Sequence, residues 1–341
     1  MTTPTLTFFN NGGGARKTSL TWHLSWMFAE RGLRVLAVDL DPTAGLTASF
    51  LDDTALNDVW NGGKRVGTML DSIGPLLADQ DLAPVTFREM NARLALVPGH
   101  LGLNVLQDAL CRAWADSSAD GNQFQAFQLL AAFWRSAQDA AERFGADLIV
   151  FDACSSLGAL NRAALIASQY VVVPLGADLF SLQGLRNLGP MLREWRDGWA
   201  LRRDRLPTPS FELPDGDIKS LGYVAMQQDV QLARPVQAYT RWLDQIPAEY
   251  RRSVLGMSDG HLAAQDMPGM ESDPHCLAIL KNYHSLMPLS QEARKPIFSL
   301  RPADGAIGAH ADAVRDAWVD FDRLARRIAM QINPLWAERI S

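Results

Sequence analysis

The stretch Phe8-Phe9-Asn10-Asn11-Gly12-Gly13-Gly14-Ala15-Arg16-Lys17-Thr18-Ser19 constrains this chain more than any other. The apolar run Thr5 to Phe9 reads as a buried strand. Beyond the glycines, Leu20, Leu24, Met27 and Phe28 share one face at helical spacing. Strand, glycine-rich turn, Lys-Thr and helix are the parts of a phosphate-binding loop. Backbone N–H groups in such a loop point at phosphate, and the helix N-terminus adds positive potential. The lysine reaches the terminal phosphates, and the threonine hydroxyl ligates Mg²⁺. The general pattern G-x-x-x-x-G-K-[ST] wants glycine at 11 and 16, where this chain has Asn11 and Arg16. On these residues alone, a glycine-rich turn that binds nothing stands level with a nucleotide loop.

A second apolar run, Leu33 to Val38, leads into Asp39-Leu40-Asp41-Pro42-Thr43-Ala44-Gly45-Leu46-Thr47. Taken with the first stretch, it closely resembles the opening of the ParA/MinD-type ATPases. That family carries K-G-G-x-G-K-[ST]-[ST] after a strand, then D-x-D-P-Q. The resemblance resumes at Asp147-Leu148-Ile149-Val150-Phe151-Asp152 and Leu157-Gly158-Ala159-Leu160-Asn161. It continues through Val171-Val172-Val173-Pro174-Leu175 and Ser181-Leu182-Gln183-Gly184-Leu185 to Ala293–Phe298 and Ala303–Ala306, in the family's order.

The resemblance implies a doubly wound α/β fold, a mostly parallel sheet with helices on both faces, binding ATP and Mg²⁺. Gly12, Gly13, Gly14, Ala15, Arg16, Lys17, Thr18 and Ser19 would cradle the phosphates. Thr18, Asp39 and Asp152 would hold the metal, partly through water. Asp41 would position or activate the attacking water, with Lys17 neutralising charge, since phosphoryl transfer asks mainly for positioning and charge. The implied partners are a second copy in a homodimer, DNA bound without sequence preference, and an adaptor protein.

Four departures fall on this chemistry. The family's signature lysine, which reaches across a dimer to the partner's nucleotide, aligns with Gly12. Its last loop glycine aligns with Arg16, where a side chain would crowd the phosphate. Its D-P-Q glutamine is Thr43, and the proline of its D-x-x-P is Ser155. Two functions follow. One is an ATP-dependent dimeric switch in DNA partition or intracellular positioning. The other is a pseudo-ATPase scaffold acting through protein contacts. A metabolic kinase fits the late-chain motifs less well.

A net charge of −6 gives no global case for nucleic acid, so any such surface must be local. Arginines between 193 and 205, and at 315, 323, 326 and 327, are the candidate patches, though acidic residues interleave with them. Cys111, Cys154 and Cys276 are too few and too dispersed for a disulfide framework or zinc site, which fits a reducing cytoplasm. No secretory signal or membrane-spanning segment is expected.

The periodicity predicts one domain with helical insertions around 50–92 and 186–218. Helices are expected over Gly67–Leu77, Val105–Trp114, Phe124–Phe144, Leu160–Ala167, Val236–Ile246 and Ala311–Ile332. Strands are expected over Leu94–Val97, Asp147–Asp152, Tyr170–Leu175, Leu221–Met226 and, last, Lys295–Leu300. Strands alternating with helices place the loops after the strands on one sheet edge, where ligands of α/β folds bind.

Overall fold

The strands are β1 (Thr5–Phe8), β2 (Val35–Asp39), β3 (Arg88–Asn91), β4 (Leu94–Val97), β5 (Leu148–Asp152), β6 (Tyr170–Gly176), β7 (Lys219–Met226) and β8 (Cys276–Leu280). They form one sheet in the order β3-β4-β2-β5-β1-β6-β7-β8. Every neighbouring pair is parallel except β3–β4. The computed structural model describes residues 2–12, 16–61, 67–119, 123–176, 178–206, 211–226, 242–258, 269–283 and 285–340, apart from the Arg16 side chain.

β1, β2, β4 and β5 are buried at every position, as parallel strands covered on both faces must be. Alternate residues feed two cores. Leu6, Phe8, Val35, Ala37, Leu148 and Val150 pack with the helices Arg16–Glu30 and Ala309–Ile332. Leu36, Val38, Ile149 and Phe151 pack on the other side, with the helices Leu106–Asp116, Ala132–Phe144, Ala159–Ile166 and Leu179–Arg205. The doubly wound arrangement expected from the sequence is therefore present.

At the β7–β8 end, the buried Arg251 and Asp273 form a two-pronged ion pair, with contacts of 2.6 and 3.1 Å. The Tyr223 hydroxyl donates to the same carboxylate at 2.7 Å. This pins the helix Ile246–Ser253 beneath the sheet edge.

Some elements differ from expectation. Lys295–Leu300 is not a strand. Ile297–Ser299 is a single 3₁₀ turn, closed by Ser299 N donating to Pro296 O at 2.8 Å, and Pro296 itself could give a ladder no N–H. The last strand is Cys276–Leu280, parallel to β7. The helix expected over Phe124–Phe144 breaks at Ala131 into Gln123–Leu130 and Ala132–Phe144. That expected over Gly67–Leu77 is Met69–Ile73 followed by 3₁₀ turns to Ala78, because Pro75 ends the α-type bonding. β3 was not expected, since its Arg-Glu-Met-Asn sequence alternates half-buried with exposed at the sheet edge. Most of the helix expected over Val236–Ile246 lies outside the described residues.

Candidate functional site

The three central strands end side by side. Phe8 of β1 pairs with Asp152 of β5, and Asp152 pairs with Asp39 of β2. The loops leaving these strands therefore share one edge, the usual ligand edge of an open α/β sheet.

Lys17 stands in the first turn of Arg16–Glu30 and is 4% exposed. Its ammonium donates to Asn10 Oδ1 and to Gly12 O, both at 3.1 Å. Thr18 Oγ1 donates to Asp152 Oδ2 at 2.8 Å, and Thr21 Oγ1 approaches Asp152 Oδ1 at 3.3 Å. Asp39 Oδ2 accepts from the Thr47 backbone at 2.8 Å and the Thr47 hydroxyl at 2.7 Å, while its Oδ1 accepts from Asp41 N at 3.1 Å. Asp41 in turn caps its own turn, accepting from Thr43 N at 2.8 Å. Gly99 N donates to Thr47 Oγ1 at 2.9 Å. A Cβ on Gly99 would stand 2.8 Å from Asp39 Cγ, so only glycine lets the loop after β4 approach this carboxylate.

Asp39 and Asp152 are fully buried. Burial pushes Asp39 up to about 6, against the opposing pull of the Thr47 hydrogen bonds. Burial, and then the neighbouring Asp39 charge, pushes Asp152 well above the usual carboxylate range. Two adjacent buried carboxylates with a hydroxyl between them and the loop are hard oxygen donors, and a divalent cation would offset their charge. Among the described residues no group of three or more His, Cys, Asp or Glu could hold a metal. Mg²⁺ fits this donor set nonetheless, because it keeps several waters and uses one or two carboxylates together with substrate phosphates.

Thr18 is thus hydrogen-bonded to Asp152 and Asp41 to Asp39, the two aspartates are paired across neighbouring strands, and Lys17 is held by Asn10 and Gly12. Ser19 turns elsewhere, its carbonyl 2.7 Å and its hydroxyl 3.3 Å from His23 Nδ1. Gly13, Gly14, Ala15 and the Arg16 side chain lie outside the described residues, and with them the expected crowding by Arg16. At Gly12, an added Cβ would meet nothing closer than Asn10 Oδ1 at 3.8 Å among the described residues. The backbone there accommodates a side chain.

Asn10, Thr21, Thr47, Gly99 and Asn161 were given no role from sequence. In the turn after Asp152, which carries Ser155, Asn161 Nδ2 donates to Cys154 O at 2.9 Å and also to Ser156 O. Cys154 Sγ lies 3.2 Å from Asn161 Oδ1, so the thiol takes part in this turn. The signals available were an Asn two residues before the glycines and a Thr eight residues after Asp39.

A cavity of about 470 Å³ adjoins the loop, with Asn10, Gly12, Val173, Asp178 and Phe180 in its wall. The arginine patches are largely engaged within the chain. Arg193 binds Ser253 O, Arg202 binds Trp114 O, and Arg203 and Arg326 pair with Asp215 and Asp322. Arg327 binds Pro274 O. No helix among the described residues is long and apolar enough to cross a membrane.

The family model described as "AAA domain" (AAA_31) matches residues 3–199. The cell division protein PomZ of Myxococcus xanthus is 31% identical over 181 residues, covering 53% of this chain and 49% of that protein. The probable plasmid-partitioning protein ParA of Thermus thermophilus is 28% identical over 204 residues, covering 59% and 53%. The chain thus spans about half the length of these curated relatives. The crystal structure of protein DIP2308 from Corynebacterium diphtheriae shares the fold, with a TM-score of 0.68 at 22% identity, over 97% of this chain and 99% of that one.

Proposed function

The chain belongs to the AAA-domain family of ParA/MinD type, and from that premise we propose that it binds ATP with Mg²⁺ and acts as a homodimeric switch in DNA partition or intracellular positioning. The observation that carries this reading is the 2.8 Å hydrogen bond from Thr18 Oγ1 to Asp152 Oδ2. It ties the start of the loop helix to the acidic end of β5, the two parts between which a metal-bound triphosphate belongs.

Lys17 neutralises the terminal phosphates. Thr18, Asp39 and Asp152 would hold Mg²⁺, partly through water, with the Asp39 carboxylate oriented by Thr47 and Asp41 N. Mg²⁺, when bound, supplies the positive charge that two buried carboxylates and a triphosphate together need. Asp41, half-buried at the rim, orients the attacking water. Gly12 supplies no charge across a dimer, so turnover is slow: a positive finger of that kind contributes roughly 10³–10⁵ in rate.

The uncharged Gly12 also favours a second reading, a pseudo-ATPase scaffold that binds nucleotide weakly or not at all and acts through protein contacts. Steady-state ATP hydrolysis with and without DNA, against Lys17→Ala, separates the two. Hydrolysis lost in Lys17→Ala supports the switch. Equal background rates in both proteins leave the scaffold.

A further inference from the structure

Asn10 lies just beyond β1, is 9% exposed, and makes more directed contacts than its place in a loop requires. Its carboxamide oxygen accepts from Lys17 Nζ at 3.1 Å and from Gly12 N at 3.2 Å. Its amide nitrogen donates to Pro174 O of β6. A carboxamide that donates on one side and accepts on the other is fixed in orientation. Here Pro174 O, which can only accept, fixes it. The oxygen is therefore held toward the lysine.

We infer that Asn10 is the positioning residue of Lys17: it holds the ammonium beside Gly12 and ties that position to β6. An ammonium on a flexible four-carbon stem gains most from a preset position, because that order need not be imposed when phosphate arrives. Asn10 is also a neutral holder: it accepts from the ammonium without cancelling its charge. An aspartate at the same place would grip Lys17 more firmly and repel phosphate. The consequence for nucleotide affinity rests on the ATP-binding reading above, whereas the placement of Lys17 does not.

Two measurements test this. The first is residue-resolved acylation of the intact chain by acetic anhydride, read by mass spectrometry, with the exposed Lys219 as internal reference. Lys17 of the unmodified chain should react slowly relative to Lys219. Asn10→Ala should raise that ratio several-fold, and Asn10→Asp should return it to the original value or below, with thermal midpoints recorded for each. An unchanged ratio in Asn10→Ala overturns the inference. So does a rise in Asn10→Asp as large as that in Asn10→Ala, because a purely structural asparagine would be lost equally in both.

The second is equilibrium ATP binding in a double-mutant cycle with Lys17→Ala. Asn10→Ala should weaken binding about tenfold in the original background and leave it unchanged in the Lys17→Ala background. Equal losses in both backgrounds contradict a role through Lys17. If the unmodified chain binds no ATP, the nucleotide reading fails, and the acylation ratio alone decides whether Asn10 positions Lys17.

Discussion

Asp39 and Asp152 stand opposite each other at the ends of neighbouring parallel strands, both fully buried. Without a cation such a pair opposes folding, and with one it becomes a binding site. The hydrogen-bond partners of Asp152 are the hydroxyls of Thr18 and Thr21, which accept as readily as they donate. Asp152→Asn should therefore fit in place. Its thermal midpoint without nucleotide should exceed that of the unmodified chain at pH 8. The same substitution should abolish the strengthening of ATP binding by Mg²⁺. Scanning calorimetry and a metal-dependent binding isotherm check the two halves separately.

His23 gives the chain a second pH dependence of opposite sign. The ring stacks on Phe321 at 5.0 Å, and its buried Nε2 meets no hydrogen-bond partner. Burial lowers its pKa from 6.5 to about 4. Between those values the unfolded chain holds a proton that the folded chain does not, so stability rises with pH by about 3 kcal/mol in all. Asp39 behaves inversely. Its pKa rises from 3.8 to about 6, so the folded chain holds the extra proton and stability falls by about 3 kcal/mol as pH rises through that window. The His23 slope opposes that of Asp39 from about pH 4 to 6, and Asp152, pushed up in the same direction as Asp39, adds a further fall. His23→Phe should expose the carboxylate slope, with urea midpoints that fall from pH 4 to pH 6. The unmodified chain should show the same fall less steeply, because His23 offsets part of it.

Among the described residues a Cβ at Gly12 would make only ordinary contact with Asn10, at 3.8 Å, so Gly12→Lys should fold normally. If the chain works as a dimer about two nucleotides, restoring this charge should raise ATP turnover at least tenfold, within the range a positive finger contributes. The expected readout is a higher kcat with a thermal midpoint within a degree or two of the original.

Arg251 and Asp273 lie at the far end of the sheet and separate stability from function. Arg251→Met leaves Asp273 buried with, among the described residues, Tyr223 and the His275 backbone as donors to its side chain. Breaking a buried pair in this way should cost about 3–5 kcal/mol. Denaturant unfolding should show that loss, while ATP affinity of the folded fraction stays unchanged.

The sheet and its ligand edge were legible because parallel strands buried on both faces are continuous apolar runs, and three of them end in Gly-Gly-Gly or Asp. β8 was harder to see: Cys276–Leu280 is a short run at the sheet end, whereas Lys295–Leu300 has similar apolar content but contains Pro296, which lacks the N–H a ladder needs. Within the site, Lys17, Thr18, Asp39, Asp41 and Asp152 are chemistry-bearing residues in familiar spacing. Asn10, Thr47 and Asn161 escaped notice because their roles are set by partners 7, 8 and 7 residues away. Which carbonyl or carboxylate they reach is decided by how the turns fold, and no linear pattern records that.

The central claim is that the buried carboxylates and the loop lysine form one site for a metal-bound triphosphate. Isothermal titration of the unmodified chain with ATP, with and without Mg²⁺, beside Lys17→Ala and Asp152→Asn, tests it most directly. The account predicts saturable binding that Mg²⁺ strengthens, lost in Lys17→Ala and made insensitive to Mg²⁺ in Asp152→Asn. No heat of binding in the unmodified chain, or identical isotherms in all three proteins, would contradict it.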